Sequence, residues 1–206
     1  MPSETFTNLK KVKKEKIFQA LMTEFSQYPV SEAQVARIIK EADISRGAFY
    51  KYFADIYDSY RYALGVALST IHVGLKEELQ QNPANSLAAF YSYTQKLVKQ
   101  TADSPYRNFY RLYWEINQYY LKRVHQNAPR EHYLANIELN INGQQITDRQ
   151  QKTAVIELLM EVSHDTVKRI LCGEDSVKCL QKFKFLLDVI QAGLVKKGDE
   201  KHVFDN

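Results

Sequence analysis

Glycine and proline are scarce in this chain, at 7 and 5 of 206 residues. So few turn formers exclude an architecture of many short strands and favour long helices. Cysteine is scarcer still. Cys172 and Cys179 match neither a zinc spacing nor a disulfide framework, which points to a reducing, cytoplasmic compartment. No apolar run approaches the roughly 18 residues that a membrane span needs, and the N-terminal MPSETFTNLKKVKKEK has no apolar stretch of the secretory kind. Catalytic motifs are missing too: there is no G-x-S-x-G, no H-E-x-x-H, no phosphate loop and no spaced Cys–His pairing. The histidines (His72, His125, His132, His164 and His202) are scattered. The chain is therefore expected to carry no catalytic residue, no metal site and no cofactor, and not to be an enzyme.

What is present is enough apolar sequence, 45% of residues, to build the core of one large domain or two small ones. The net charge of +4 is modest but unevenly placed. Lys10, Lys11, Lys13, Lys14 and Lys16 face only Glu4 and Glu15 in the first sixteen residues. A mobile basic arm leading into a helix suits a polyanion such as DNA, and equally a tail kept for solubility.

Apolar spacing and caps predict an all-α chain of about nine helices. Ile17, Ala20, Leu21 and Phe25 mark a helix over about 10–27, broken at Tyr28-Pro29. Ser31 to Gln34 reads as a capping box that opens a second helix with Val35, Ile38, Ile39 and Ala42 inward. Ser45 caps a short third helix over about 46–53, and a long fourth runs from Ile56 to Gln80. Further helices are expected over 86–102, from Pro105 to His125, and from Pro129 to a turn at Asn142-Gly143. Thr147-Asp148 caps a helix ending at Cys172 before Gly173, and Ser176 starts the last, ended by Gly198.

The second and third helices, joined by a short turn, make a helix-turn-helix, whose second helix enters the major groove of DNA. In that helix, Arg46 to Phe53, the spacing turns Phe49 and Phe53 inward and leaves Arg46, Lys51 and the phenols of Tyr50 and Tyr52 outside. Arg can read guanine, while Lys and Tyr bind phosphate. The run from Ile17 to Phe53, with Ile38-Ile39-Lys40-Glu41-Ala42-Asp43-Ile44-Ser45-Arg46-Gly47-Ala48-Phe49-Tyr50-Lys51-Tyr52-Phe53 in register, resembles the DNA-binding domain of the TetR family of transcriptional regulators. Three positions depart from that pattern: Asp43 replaces Gly in the turn, Gln34 replaces a capping Thr, and Ile56 replaces a phosphate-contacting Lys. The resemblance implies that Ser45, Arg46, Gly47, Ala48, Tyr50, Lys51 and Tyr52 face DNA, with Arg46 and Ala48 reading bases. Arg37 is a weaker backbone-contact candidate, and Lys40 reads as a solvated helix face. It also implies a domain division into a reader at 1–56, a helical effector-binding and dimerising body at 57–198, and a frayed tail at 199–206.

In the body, aromatic residues crowd together. Tyr91, Phe109, Tyr110, Tyr113, Trp114 and Tyr120 could line an effector pocket, although each alone reads as core. Val155, Leu159 and Val162 on one C-terminal helix, with Leu180, Phe183, Leu187, Ile190 and Leu194 on the other, form stripes suited to a homodimeric four-helix bundle. A dimer would place two readers one turn of a near-palindromic double-stranded DNA operator apart. The expected function is a repressor released by a small-molecule or protein effector, without membrane association. The alternative is a helical adaptor that binds a protein partner with little or no DNA binding.

Overall fold

The computed structural model describes residues 2–122 and 137–195, with the side chains of 70–73, 122, 194 and 195 left aside. The start of the helix expected from Pro129, the Leu194 side chain, the stop at Gly198 and the tail at 199–206 lie outside the described residues. The fold is all-α. The helices are α1 (Glu4–Thr7), α2 (Lys11–Gln27), α3 (Val35–Ala42), α4 (Arg46–Tyr52), α5 (Ile56–Gln81) and α6 (Ser86–Ala102). They continue with α7 (Arg107–Leu112), a π-helical turn (Tyr113–Asn117), α8 (Gln118–Lys122), α9 (Arg149–Leu171) and α10 (Ser176–Val195). Among the described residues, no helix is long and apolar enough to cross a membrane.

Packing divides the chain into two compact units. One comprises Met1–His72 and Thr101–Gln126, the other Val73–Gln100 and Asn127–Asn206. The division by role expected at residue 56 does not coincide with this division by packing. The reason is local: in the first unit Tyr60 of α5 is fully buried between Phe25 of α2 and Phe109 of α7, with ring centroids 4.9 and 5.7 Å away. The helix-turn-helix is thus continuous with the start of α5 and with the 107–122 helical run. Burial also pushes the Tyr60 phenol well above its ordinary pKa, so the ring stays neutral. Ile17, Leu21 and Phe25 of α2, Ile38 and Ala42 of α3, and Phe49 and Phe53 complete this core at 2% exposure or less.

The second unit is built on α9 and α10. Asp148 caps α9 by accepting from the Gln151 N–H at 2.7 Å, and Gly173 ends it with a positive φ of 102°. Its buried Ser163 shares a 2.7 Å hydrogen bond with Thr94 of α6. The expected helix ending at Asn142-Gly143 is corrected at its C-terminal end. Asn140–Ile141 and Gln144–Gln145 pair as a small antiparallel hairpin. Asn142 and Gly143 take φ of 52° and 77°, the all-positive pair that a tight hairpin turn demands and a helix cannot use. The Asn140 N–H donates to Ser86 Oγ and the Gly143 N–H to Ala84 O, which anchors the hairpin to the start of α6.

Candidate nucleic-acid interface

Helix α4 has only seven residues, too few to persist alone, so its surroundings must hold it. Its N-terminus is fixed by Ser45, whose Oγ accepts from the Ala48 N–H at 3.1 Å. The turn before it contains Asp43 in the left-handed region, φ 52° and ψ 54°, as the replacement of glycine demands. Aspartate is among the few side chains that tolerate this conformation. The Ile44 N–H then reaches back to Ile39 O at 3.1 Å, closing the end of α3. On the inward face Phe49 is fully buried and Phe53 is 1% exposed. The outward face presents Arg46, Gly47, Tyr50 and Lys51 to solvent, with Ala48 and Ser45 beside them. Arg46 and Tyr50, one helical turn apart, face each other, with the guanidinium 5.6 Å from the ring centroid.

Tyr52 does not join this face. It is 6% exposed and its ring lies edge-on against Phe6. The cause is the N-terminal segment, which sequence patterning casts as a mobile arm and which instead docks. The Ser3 N–H donates to Tyr52 O at 3.0 Å and the Ser3 hydroxyl to Lys51 O at 2.6 Å, taking up two carbonyls that the end of α4 leaves free. Phe6, 2% exposed, fills the space between Tyr52, Phe53 and Tyr62. An aromatic residue in an otherwise polar, basic arm is the sequence signal that marks such docking.

Arg37 has a structural role of its own. Its guanidinium is held by its own domain, with the side chain still 36% exposed. Nε and Nη2 donate to the Glu24 carboxylate at 2.6–3.0 Å, Nη2 also donates to Glu32 O, and the group stacks on the Tyr28 ring at 3.9 Å. The hydrogen bond to Glu24 holds the arginine above its ordinary pKa. The same Glu24 Oε1 accepts the Gln34 N–H at 2.7 Å, so an acid from α2 caps α3. The expected capping box at Ser31 is therefore replaced. The Glu32 and Ala33 N–H groups bond Pro29 O in a separate turn, and α3 starts at Val35. Glu24 is 4% exposed and shares the buried face of α2 with Leu21 and Phe25. An acid at a core position was the legible sign of this network.

The expected effector-pocket residues fall in both units and differ in their surroundings. Phe109 and Tyr110 are core side chains of the first unit, where burial pushes the Tyr110 phenol upward in pKa. Tyr113 and Trp114 pair edge to face at 4.8 Å. Tyr91 belongs to the second unit and stacks on Phe183. Tyr120 is exposed, in a shallow dent of about 350 Å³ with Glu115, Ile116 and Tyr119. A cleft of about 280 Å³ lies between α9 and α10, lined in part by Asp165, Arg169, Lys182 and Phe183. The expected dimer stripe is corrected likewise: Leu159, Phe183 and Leu187 are at most 5% exposed, buried within their own chain. Val155, Val162, Leu180 and Ile190 are half-buried. The apolar side chains presented outward on these helices are Leu158, Val177, Phe185 and Val189.

Residues 17–58, the segment that contains α2, α3 and α4, match the family model described as bacterial regulatory proteins, tetR family. That segment carries a TetR-type helix-turn-helix. The fold of the whole chain is similar to a TetR-like transcriptional regulator from Rhodococcus sp. RHA1, with TM-score 0.58 at 16% identity over 91% of this chain and 98% of that one. A TetR family transcriptional regulator from Chloroflexus aurantiacus J-10-FL is also similar, at TM-score 0.41 and 20% identity over 94% of this chain and 98% of that one. No curated protein matches the sequence. The TetR-type helix-turn-helix thus has its second helix at α4, with Arg46, Tyr50 and Lys51 facing outward.

Proposed function

We propose that the chain is a DNA-binding transcriptional regulator that binds a near-palindromic operator as a homodimer and releases it when an effector engages the helical body. The observation that carries this reading is the outward face of α4: Arg46 beside Tyr50, with Lys51, on a helix held rigidly from below. A guanidinium at the start of a recognition helix can read a guanine edge, and the phenol and ammonium can hold phosphates. Pairing is assigned to the outward apolar residues of the C-terminal helices, Phe185 and Val189 one turn apart on α10 and Leu158 on α9. An effector that favours a spacing of the two readers unsuited to DNA lowers DNA affinity by the same free energy, which makes repression relieved by ligand the default mode.

The test is selection of bound sequences from a random DNA pool by the full chain, followed by titration in salt beside an Arg46→Ala, Tyr50→Ala variant. The expected result is a two-fold symmetric site whose half-sites lie about 34–36 Å apart, with salt-sensitive binding that the variant weakens at least tenfold. Enrichment of no sequence, with equal binding by both proteins, would sink the reading and leave the protein-binding adaptor.

A further inference from the structure

The docked N-terminus changes what the first lysines can do. Ser3 and Phe6 tie residues 3–9 to the C-terminal end of α4, and α2 starts at once with Lys11. This geometry brings the Lys13 ammonium over the outer side of the Tyr52 ring, 5.9 Å from its centroid. One turn further along α2, Lys16 reaches Asp43 in the turn before α4, at 3.3 Å. Lys10 and Lys13 are exposed, as is Lys51 at the end of α4. Among the acids nearby, Glu4 and Glu15 are exposed, and Asp43 is engaged by Lys16. Lys13 is therefore held at the end of α4 where the docked segment has taken Tyr52 out of solvent, with Lys10 three residues before it at the start of α2.

We propose that Lys10 and Lys13 form a docked flank that grips the DNA phosphates next to each half-site, doing there what the buried Tyr52 cannot. The inference rests on the DNA-binding reading and deepens it, since the flank lies continuous with the outward face of α4. Its chemistry is that of point charges on flexible stems. It strengthens binding to any sequence, releases counterions, and leaves the base preference set by Arg46 unchanged. Docking sets it apart from a free arm. An arm ordered only on DNA loses conformational freedom at that moment, whereas the Ser3 and Phe6 contacts have already fixed the approach.

The experiment uses the full chain and its selected DNA site. Three proteins are titrated between 50 and 300 mM salt: wild type, Lys10→Gln with Lys13→Gln, and the charge-matched control Lys11→Gln with Lys76→Gln. Lys11 lies about 200° around α2 from Lys13. Two lost phosphate contacts make the slope of log K against log salt shallower by about 1.8 per protomer. That slope change is expected for the first variant and not for the control, with identical sequence preference in all three. Equal slopes for wild type and both variants overturn the flank while leaving the DNA-binding reading intact. Equal losses in both variants overturn it too, because net charge rather than position would then be responsible. Absence of salt-dependent DNA binding by the wild type removes the reading and the flank together.

Discussion

Helices α4 and α10 present opposite faces to the world. The first is short, and its outward side carries a guanidinium, a phenol and an ammonium above a buried phenylalanine pair. The second has 20 residues and turns Val177, Phe185 and Val189 outward while Phe183 and Leu187 point in. A polar face over a rigid base suits a wet, charged partner whose recognition depends on geometry. An apolar face on a long helix suits another protein surface, where association grows from area removed from water. The contrast teaches that one chain has two distinct surfaces, and that the residues most visible as a stripe need not be the ones left outside.

Substitution at a buried and an exposed phenylalanine gives the strongest break of this comparison. Phe49→Ala, at a fully buried position on α4, is expected to destabilise the fold by about 3–5 kcal/mol. Phe185→Ala, at 65% exposure on α10, is expected to change monomer stability by no more than about 0.5 kcal/mol. Denaturant unfolding measures both; comparable losses would mean that α10 packs its outer face within the chain. Next in size is assembly. Phe185→Glu is expected to weaken dimerisation by about 2 kcal/mol or more, roughly thirtyfold, seen as a shift to monomer in sedimentation at unchanged helical content. A dimer that persists would place the interface elsewhere. The smallest effect sharpens the account of α4: Ser45→Ala removes the cap on Ala48 and should cost about 1 kcal/mol. Thermal melting reads this loss, and a neutral result would show that packing alone holds the helix.

Much of this was legible in advance, and the residues say why. Caps and breakers act locally, so the Tyr28-Pro29 break, the Ser45 cap, the Asp148 cap and the Gly173 stop all stand where the sequence put them. The left-handed Asp43 followed from a substitution at a glycine position in a family pattern. What local spacing does not reveal has another cause. The surroundings of Tyr52, Arg37 and the start of α3 are each decided by a group outside their own stretch of sequence: the docked Ser3 and Phe6, or the Glu24 carboxylate. Helical spacing also finds an apolar stripe without telling whether its own chain or a partner covers it. Leu159, Phe183 and Leu187 are covered by their own chain.

One bond in the N-terminal unit has a consequence for how the protein is made. The Val30 N–H, in the linker between α2 and α3, is buried and has as its partner Asn117 Oδ1 at 3.0 Å, 87 residues later in the chain. At about 5–20 residues per second of synthesis, roughly 4–17 s separate the appearance of the two groups. The helix-turn-helix ends at Phe53, 64 residues before Asn117, so for roughly 3–13 s of that interval it has been synthesised without the π-helical turn that completes its edge. The nascent N-terminal domain therefore spends seconds with the Val30 amide awaiting its partner, and a pause in synthesis shortly before Asn117 would prolong the time in which α2, α3 and α4 lack the helical run that seats them.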